Sequence, residues 1–224
     1  MLLNKCTIEP SIYAPHSGKF LGSVTAMAFV FQVLYSQLFV TPTYPTHDFS
    51  GQTVIVTGSN VGLGLEAARH FARLNCAKLI LAVRTVSKGE KAKESILSST
   101  KRTSDCIEVW PLDLSSSASV KAFAKRAEGL ERLDIMVENA GLSVAGWEVM
   151  EGNEASLQVN VINTFLLALL MLPMLRKTAE KFGTTPHLEI VSSEAHFLAG
   201  FKEKHEDDIY AKLNDEKTFN LQDR

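Results

Sequence analysis

Thr53-Val54-Ile55-Val56-Thr57-Gly58-Ser59-Asn60-Val61-Gly62-Leu63-Gly64 decides the fold of this 224-residue chain. Its first five residues form a β-branched run of the kind that suits a buried strand. Gly58 ends the run. From Leu63 to Leu74 the apolar residues Leu63, Ala67, Phe71 and Leu74 recur at helical spacing, with Glu66, Arg69 and Arg73 at polar positions. In such a turn Gly58 permits the sharp bend, Gly62 lets the backbone approach a pyrophosphate, and Gly64 lets the helix pack close to the strand. The helix N-terminus then faces the negative charge. A glycine cluster alone is weak evidence, and its place between a strand and a helix is what gives it meaning. Gly58, Ser59, Asn60, Gly62, Leu63 and Gly64 are therefore the candidate dinucleotide cradle. The competing reading is a merely structural tight turn.

The same alternation continues outward. Leu79 to Val83 is a second apolar strand, and residues 88 to 98 read as an exposed helix around Ala92, Ile96 and Leu97. Ile107 to Trp110 is a third strand, and Val120, Phe123 and Ala124 mark the next helix. Leu133 to Val137 is a fourth strand, 153 to 175 a long helix, and Leu188 to Val191 a fifth strand. Short apolar strands alternating with helices are βαβ units, whose right-handed crossovers require a parallel sheet covered on both faces. The expected fold is α/β, a doubly wound parallel sheet of Rossmann type over residues 50–224. Ligands in such folds bind at the carboxyl ends of the strands.

Residues 1–49 form a separate extension. From Phe20 to Thr46 no side chain is charged, and Pro42 and Pro45 end any helix. A membrane or interfacial anchor over residues 20–41, a helix docked on the domain and a cleaved signal peptide are three readings of this segment. The expected location is cytoplasmic, or membrane-associated and facing the cytoplasm. Elsewhere, 46% apolar and 21% charged residues describe an ordinary globular chain. With 23 Lys+Arg against 25 Asp+Glu there is no electrostatic reason to expect nucleic acid. Cys6, Cys76 and Cys106 make no CxxC pair or zinc-ligand spacing, so a reducing compartment and no metal are expected.

The spacing Gly58-x-x-x-Gly62-x-Gly64 resembles the short-chain dehydrogenase/reductase family. Asp113-Leu114 looks like that family's adenine-contacting acid and its neighbour. Asn139-Ala140-Gly141 is similar to the last three residues of its Asn-Asn-Ala-Gly motif, with Glu138 where the first Asn is usual. Asn160 matches the family's helix asparagine, and Val191-Ser192-Ser193 the strand that delivers its catalytic serine, Ser193 by position; the resemblance makes both catalytic candidates, Ser193 polarising the carbonyl oxygen and Asn160 holding a proton-relay water. Val-Ser-Ser-Glu-Ala-His and the Val83-Arg84 region look closest to retinol-dehydrogenase-like members, fungal ones included. The resemblance implies an NAD(P)-dependent dehydrogenase or reductase acting on a carbonyl or alcohol. It also implies a homodimer through the 153–175 helix and a substrate loop in the charged stretch Glu203 to Glu216.

Cofactor preference follows from charge. A carboxylate at the end of the second strand would bind a ribose 2′-hydroxyl and repel a 2′-phosphate. Arg84 stands there instead, with Lys88 four residues on, and Arg pairs with phosphate in a bidentate fashion. NADP is expected over NAD. The bland reading of Arg84 is a solvated charge.

The family's proton donor is a tyrosine, with a lysine four residues later on the same helical face. This sequence contains no Tyr-x-x-x-Lys: Tyr13, Tyr35, Tyr44 and Tyr210 are followed at that distance by Ser17, Phe39, Asp48 and Asn214. By the family's spacing the tyrosine would fall just past Arg224, so an incomplete domain with little activity of its own is expected. The alternatives are a non-catalytic nucleotide-binding pseudoenzyme and a membrane-tethered interaction protein. The expected substrate is a lipophilic small molecule. His196 near Ser193 suggests a hydrolase, but no G-x-S-x-G elbow exists. Trp147 either lines a substrate pocket or covers the sheet end.

Overall fold

The computed structural model describes residues 31, 34–36, 38–41, 43–193 and 199–220. It divides the chain into two units, Met1–Pro45 and Thr46–Arg224. The division falls a few residues before the boundary expected at 49. Phe49 explains the shift: its N–H donates to the Leu74 carbonyl at 2.8 Å and its ring meets Phe71 edge-on at 4.9 Å. Most of the 20–41 segment lies outside the described residues. Those that are described include helical Phe31, Leu34, Tyr35, Leu38 and Phe39, all with exposed side chains.

The larger unit is a parallel sheet of order β3-β2-β1-β4-β7, built from β1 (Thr53–Thr57), β2 (Lys78–Val83), β3 (Ile107–Pro111), β4 (Ile135–Glu138) and β7 (His187–Ile190). A two-residue-stranded hairpin, β5 (Val149–Met150) and β6 (Asn153–Glu154), stands apart from it. The helices are α1 (Gly62–Arg73), α2 (Val86–Thr100), α3 (Ser117–Ala127), α4 (Thr164–Phe182) and the short α5 (Ile209–Leu213).

Side-chain alternation explains the two layers. Val54 and Val56 point to one face with Leu79, Leu81 and Val83, where Ala68, Ala72, Ala92 and Ile96 of α1 and α2 cover them. Ile55, Ile80 and Met136 point to the other, against Val120 and Phe123 of α3 and Leu167 and Met171 of α4. Both faces of β1 are thus buried, which is why its sequence is a continuous apolar run rather than an alternating one. The doubly wound parallel sheet expected from the sequence is the fold.

One expected element is different. Residues 153–175 are not one helix: Asn153–Glu154 is strand, Leu157–Asn163 is a π-helical segment, and α4 begins only at Thr164 and runs to Phe182. Buried Glu154 sets the start, accepting the Ser156 and Leu157 N–H groups at 2.9 Å each. Thr164 Oγ bonds the Val159 carbonyl at 2.8 Å, five residues back. The stretch from Leu157 to Phe182 is long and apolar enough to cross a membrane, but half of its most apolar part is buried in the domain. It serves as the expected crossover helix between β4 and β7.

Candidate functional site

Because all five sheet strands run parallel, their carboxyl ends share one edge, where the turns after β1, β2, β3 and β4 converge. Gly58 and Gly64 bring the first two elements of the site together. Gly58 has φ +64°, and a Cβ there would sit 3.0 Å from the Ala140 backbone; one on Gly64 would meet the Gly58 carbonyl oxygen at 2.6 Å. A side chain at Gly64 would overlap backbone, and one at Gly58 would be strained by the positive φ and press on Ala140. The loop after β4 is fixed to the same point: Asn139 Nδ2 donates to the Thr57 carbonyl at 3.1 Å, and the Ala140 N–H donates to Thr57 Oγ1 at 2.9 Å.

These turns enclose an open cleft of about 190 Å³. Gly58, Asn60, Arg84, Asp113, Leu114, Ala140 and Gly141 line it, so seven of the residues singled out in the sequence meet on one surface. Asp113 is held by its own loop: its Oδ1 accepts the Ser115 N–H at 2.9 Å and the Ser115 hydroxyl at 2.7 Å, and its N–H donates to Ser119 Oγ at 3.0 Å. Arg84 is exposed, and among the described residues its guanidinium has no hydrogen bond or ion pair. An unneutralised, bidentate cation at the end of β2 fits a phosphate on the adenosine ribose. The glycine cradle, the adjacent helix start and this cation together suit a phosphorylated dinucleotide.

The remaining expected site residues lie elsewhere. Ser59 is fully buried, with its hydroxyl on the Val56 carbonyl at 2.9 Å, so it shapes the turn. Gly62 and Leu63 are exposed at the start of α1, and Lys88 is exposed in the first turn of α2; none lines the cleft. Asn139 lies under the cleft through its bond to Thr57. Ser193 is exposed three residues past β7, and Asn160 is exposed within the π-helical segment. Asn160 uses both polar atoms on one residue of the cleft wall, Leu142. His196 lies outside the described residues. Tyr210 is 55% exposed on α5, and the substrate-loop stretch folds into short helical turns at 202–205, 209–213 and 216–218. Trp147 packs edge-on against Phe219 at 5.6 Å between ring centroids.

Ala82, Leu112, Ser115, Met150 and Val159 also line the cleft and were not singled out in the sequence. Leu112 and Ser115 flank Asp113, which was the available signal. Met150 arrives on the β5–β6 hairpin. Glu138 is the departure from the family pattern. Its backbone carbonyl accepts the Val191 N–H at 3.0 Å, but its carboxyl is buried and, among the described residues, neither oxygen is hydrogen-bonded. Desolvation pushes its pKa up to about 8. Cys76 and Cys106 are buried free thiols, and burial pushes Cys76 up to about 12, which makes it unreactive. Among the described residues no three His, Cys, Asp or Glu side chains are grouped to hold a metal ion.

A family model described as short chain dehydrogenase matches residues 52–184. The chain belongs to the short-chain dehydrogenase/reductase family. It is 48% identical over 188 residues to the short chain dehydrogenase/reductase dmxR8 of Cryptosporiopsis sp., covering 83% of this chain and 58% of that protein. To the short-chain dehydrogenase anuD of Penicillium roqueforti it is 43% identical over 203 residues, 91% of this chain and 52% of that one. The chain therefore spans a little over half the length of these relatives. Among solved structures it resembles a short chain dehydrogenase from Escherichia coli CFT073 complexed with NADPH, with TM-score 0.54 and 26% identity over 77% of this chain and 68% of that one. It also resembles the Pseudomonas aeruginosa RhlG/NADP active-site complex, with TM-score 0.57 and 25% identity over 77% of this chain and 64% of that one.

Proposed function

We propose that this chain carries the nucleotide-binding part of an NADP-dependent oxidoreductase that interconverts a carbonyl and an alcohol on a lipophilic small molecule. The single observation behind the cofactor choice is Arg84, a cation with no ion pair among the described residues, where an NAD-selective site would hold a carboxylate. The two solved relatives complexed with NADPH or NADP support the same reading.

When bound, the nicotinamide supplies or accepts the hydride. The chain's own contribution is placement. The Gly58–Gly64 turn receives the pyrophosphate, Arg84 the 2′-phosphate, and Asp113 with Leu114 the adenosine. Lys88, at the foot of α2, adds positive potential near Arg84. Ser193, delivered beside β4, donates its hydroxyl proton as a hydrogen bond to the substrate carbonyl oxygen. Asn160 fixes the loop that bounds the cleft. The 224 residues contain no Tyr-x-x-x-Lys, so the pair that would move the proton on that oxygen is not among them. The chain alone should bind nucleotide and turn over little or no substrate.

Calorimetric titration with NADPH and with NADH tests the reading, alongside an assay of NADPH oxidation with apolar ketones and aldehydes. NADPH binding tighter than NADH, with no turnover, is the expected result. Tighter NADH binding, or none of either, would overturn it. A non-catalytic, nucleotide-binding partner is the second reading. The exposed apolar side chains between Phe31 and Val40 are compatible with membrane attachment. Phe165, Leu169 and Leu170 stand out from α4 and suit a homodimer contact. Flotation with vesicles and light scattering separate these possibilities.

A further inference from the structure

We propose that Asn214 is a positioning residue that couples the segment 199–220 to the nucleotide cleft, so that a docked segment and a bound nucleotide stabilise each other. The proposal rests on the NADP reading of the cleft. It goes beyond it by assigning a role to a residue outside the site.

Asn214 ends α5 and reaches the β5–β6 hairpin with both ends of its amide. Its Oδ1 accepts the Glu154 N–H at 2.6 Å, and its Nδ2 donates to Asn153 Oδ1 at 3.0 Å. The Phe219–Trp147 ring contact makes a second attachment on the strand side of β5. The hairpin between them carries Met150 into the cleft wall. Its turn is Glu151-Gly152, both at positive φ (48° and 85°), which matches the twist a two-residue hairpin needs. Glu151 is a strained choice there, and its carboxylate shows what holds it: it accepts the Ser117 N–H at 3.0 Å and Gln158 Nε2 at 3.0 Å.

From this hairpin a line of side-chain contacts runs to the cleft. Asn153 Nδ2 donates to Gln158 Oε1 at 2.7 Å. Ser117 Oγ lies 2.6 Å from the Glu151 carboxylate and 2.9 Å from Asn163 Oδ1, its single proton serving one or the other. Asn163 Nδ2 donates to the Leu114 carbonyl at 2.7 Å. Asn163 and Gln158 are buried, so solvent does not replace these partners easily. Asn214 is thus connected, through the hairpin, to both Leu114 and Met150 on the nucleotide wall. Strands of two residues are not stable alone. The hairpin is placed by what it is tied to on each side: α3 through Glu151, and the 199–220 segment through Asn214. Coupling between two ligands of one element is reciprocal.

Hydrogen exchange of the 224-residue chain, free and with saturating NADPH, tests the proposal together with calorimetric NADPH affinity. In the parent chain NADPH should slow exchange of amides in 209–219. N214A should abolish that slowing and weaken NADPH binding by about five-fold or more, the low end of typical coupling. N153A should act similarly, and the double variant should be no worse than either alone. N214D keeps the acceptor for Glu154 but sets a carboxylate against Asn153 Oδ1, whose own Nδ2 is held by Gln158, so it should weaken NADPH binding at least as much as N214A. Circular dichroism confirms that each variant folds, and Asn214 caps a five-residue helix that has no buried residue, so its loss leaves the core intact. If NADPH does not bind the parent chain, the cofactor reading fails and the coupling with it. If NADPH binds the parent and N214A equally, or protects 209–219 equally in both, the coupling alone is overturned.

Discussion

Asn160 holds Leu142 by both sides of its backbone: Oδ1 accepts the Leu142 N–H at 2.7 Å and Nδ2 donates to the Leu142 carbonyl at 2.8 Å. The two residues are on different elements, one in the π-helical segment and the other just past Gly141. A π-helical turn is widened and rare, and it is commonly found where a side chain must be aimed. Here it aims an amide at the loop that bounds the nucleotide cleft. Asn160 therefore acts on the site through Leu142.

Replacing Asn160 tests that geometry. N160A removes two hydrogen bonds and should cost about 1–3 kcal/mol of stability, at about 0.5–1.5 kcal/mol each. N160D should cost more than N160A, because it loses the donor and sets a carboxylate against the Leu142 carbonyl oxygen. Denaturant melts rank the variants, and exchange at the Leu142 amide should rise in both. Equal stability of all three chains would show that the clamp is not formed.

Arg84 sets cofactor choice. R84D should weaken NADPH binding by about 1.5–3 kcal/mol, the range for a hydrogen bond to a charged group, roughly ten- to a hundred-fold. NADH affinity should hold steady or improve, since the new carboxylate can accept a ribose 2′-hydroxyl. Parallel titrations read both values. An equal loss for the two cofactors would remove Arg84 from the 2′-phosphate.

How much of this was legible in the sequence depends on burial. Strands covered on both faces read as unbroken apolar runs, and Val54, Ile55, Val56, Leu79, Ile80 and Leu81 are all fully buried. The glycine turn was legible because positive φ at Gly58 and close backbone approach at Gly64 disfavour every other residue. The hairpin was not. Its strands are two residues long, too short for any alternation, and Glu151 is not among the residues that announce a two-residue turn. The π-helical segment was not, because Leu157, Val159 and Val161 alternate with Gln158 and Asn160 at a period of two, which signals a strand and not a widened helix. Buried Gln158 and Asn163 look like surface residues until the hairpin supplies their partners. Ser59, assigned to the cradle by position, turned inward to the Val56 carbonyl.

The packing at Gly64 is checked by the smallest possible change. G64A puts a methyl group 2.6 Å from the Gly58 oxygen and against the Asn139 amide. Gly58 is backbone and cannot yield, so α1 must shift away from the turn. Overpacking of this kind costs about 1–3 kcal/mol. It should also weaken NADPH binding, because the cradle and the helix start move apart. A G64A chain with the parent's melting temperature would mean that α1 is not seated as described.

Phe165 and Leu169 are 51% and 64% exposed on α4, while Leu167 and Met171 beside them are buried. F165E and L169E should therefore change the stability of the monomer by no more than about 0.5 kcal/mol, as surface substitutions do. L167E would place a charge in the core and unfold the domain. If this face is a homodimer contact, light scattering should report a lower mass for F165E or L169E at unchanged melting temperature in dilute solution. A large loss of monomer stability in either variant would place those side chains inside the core instead.

Glu138 makes stability depend on pH in a way opposite to an ordinary paired carboxylate. Its folded-state pKa is raised to about 8 by desolvation, with no hydrogen bond to either carboxyl oxygen among the described residues. The folded chain therefore binds this proton more tightly than the unfolded chain does. The sign follows from linkage: the contribution is fully present below the ordinary carboxylate pKa of about 4.3, shrinks as pH rises from there, and is gone above about 8. Between those limits the folded state loses stability with rising pH, because ionising the buried group on β4 has no compensating partner. E138Q carries no proton to lose, so its stability should be flatter over the same window and higher than the parent's at pH 9. Melting temperatures of both chains from pH 5 to pH 9 decide the matter. Parallel curves would mean that the carboxyl finds a partner or reaches solvent, and that burial at the end of β4 does not hold it in the protonated form.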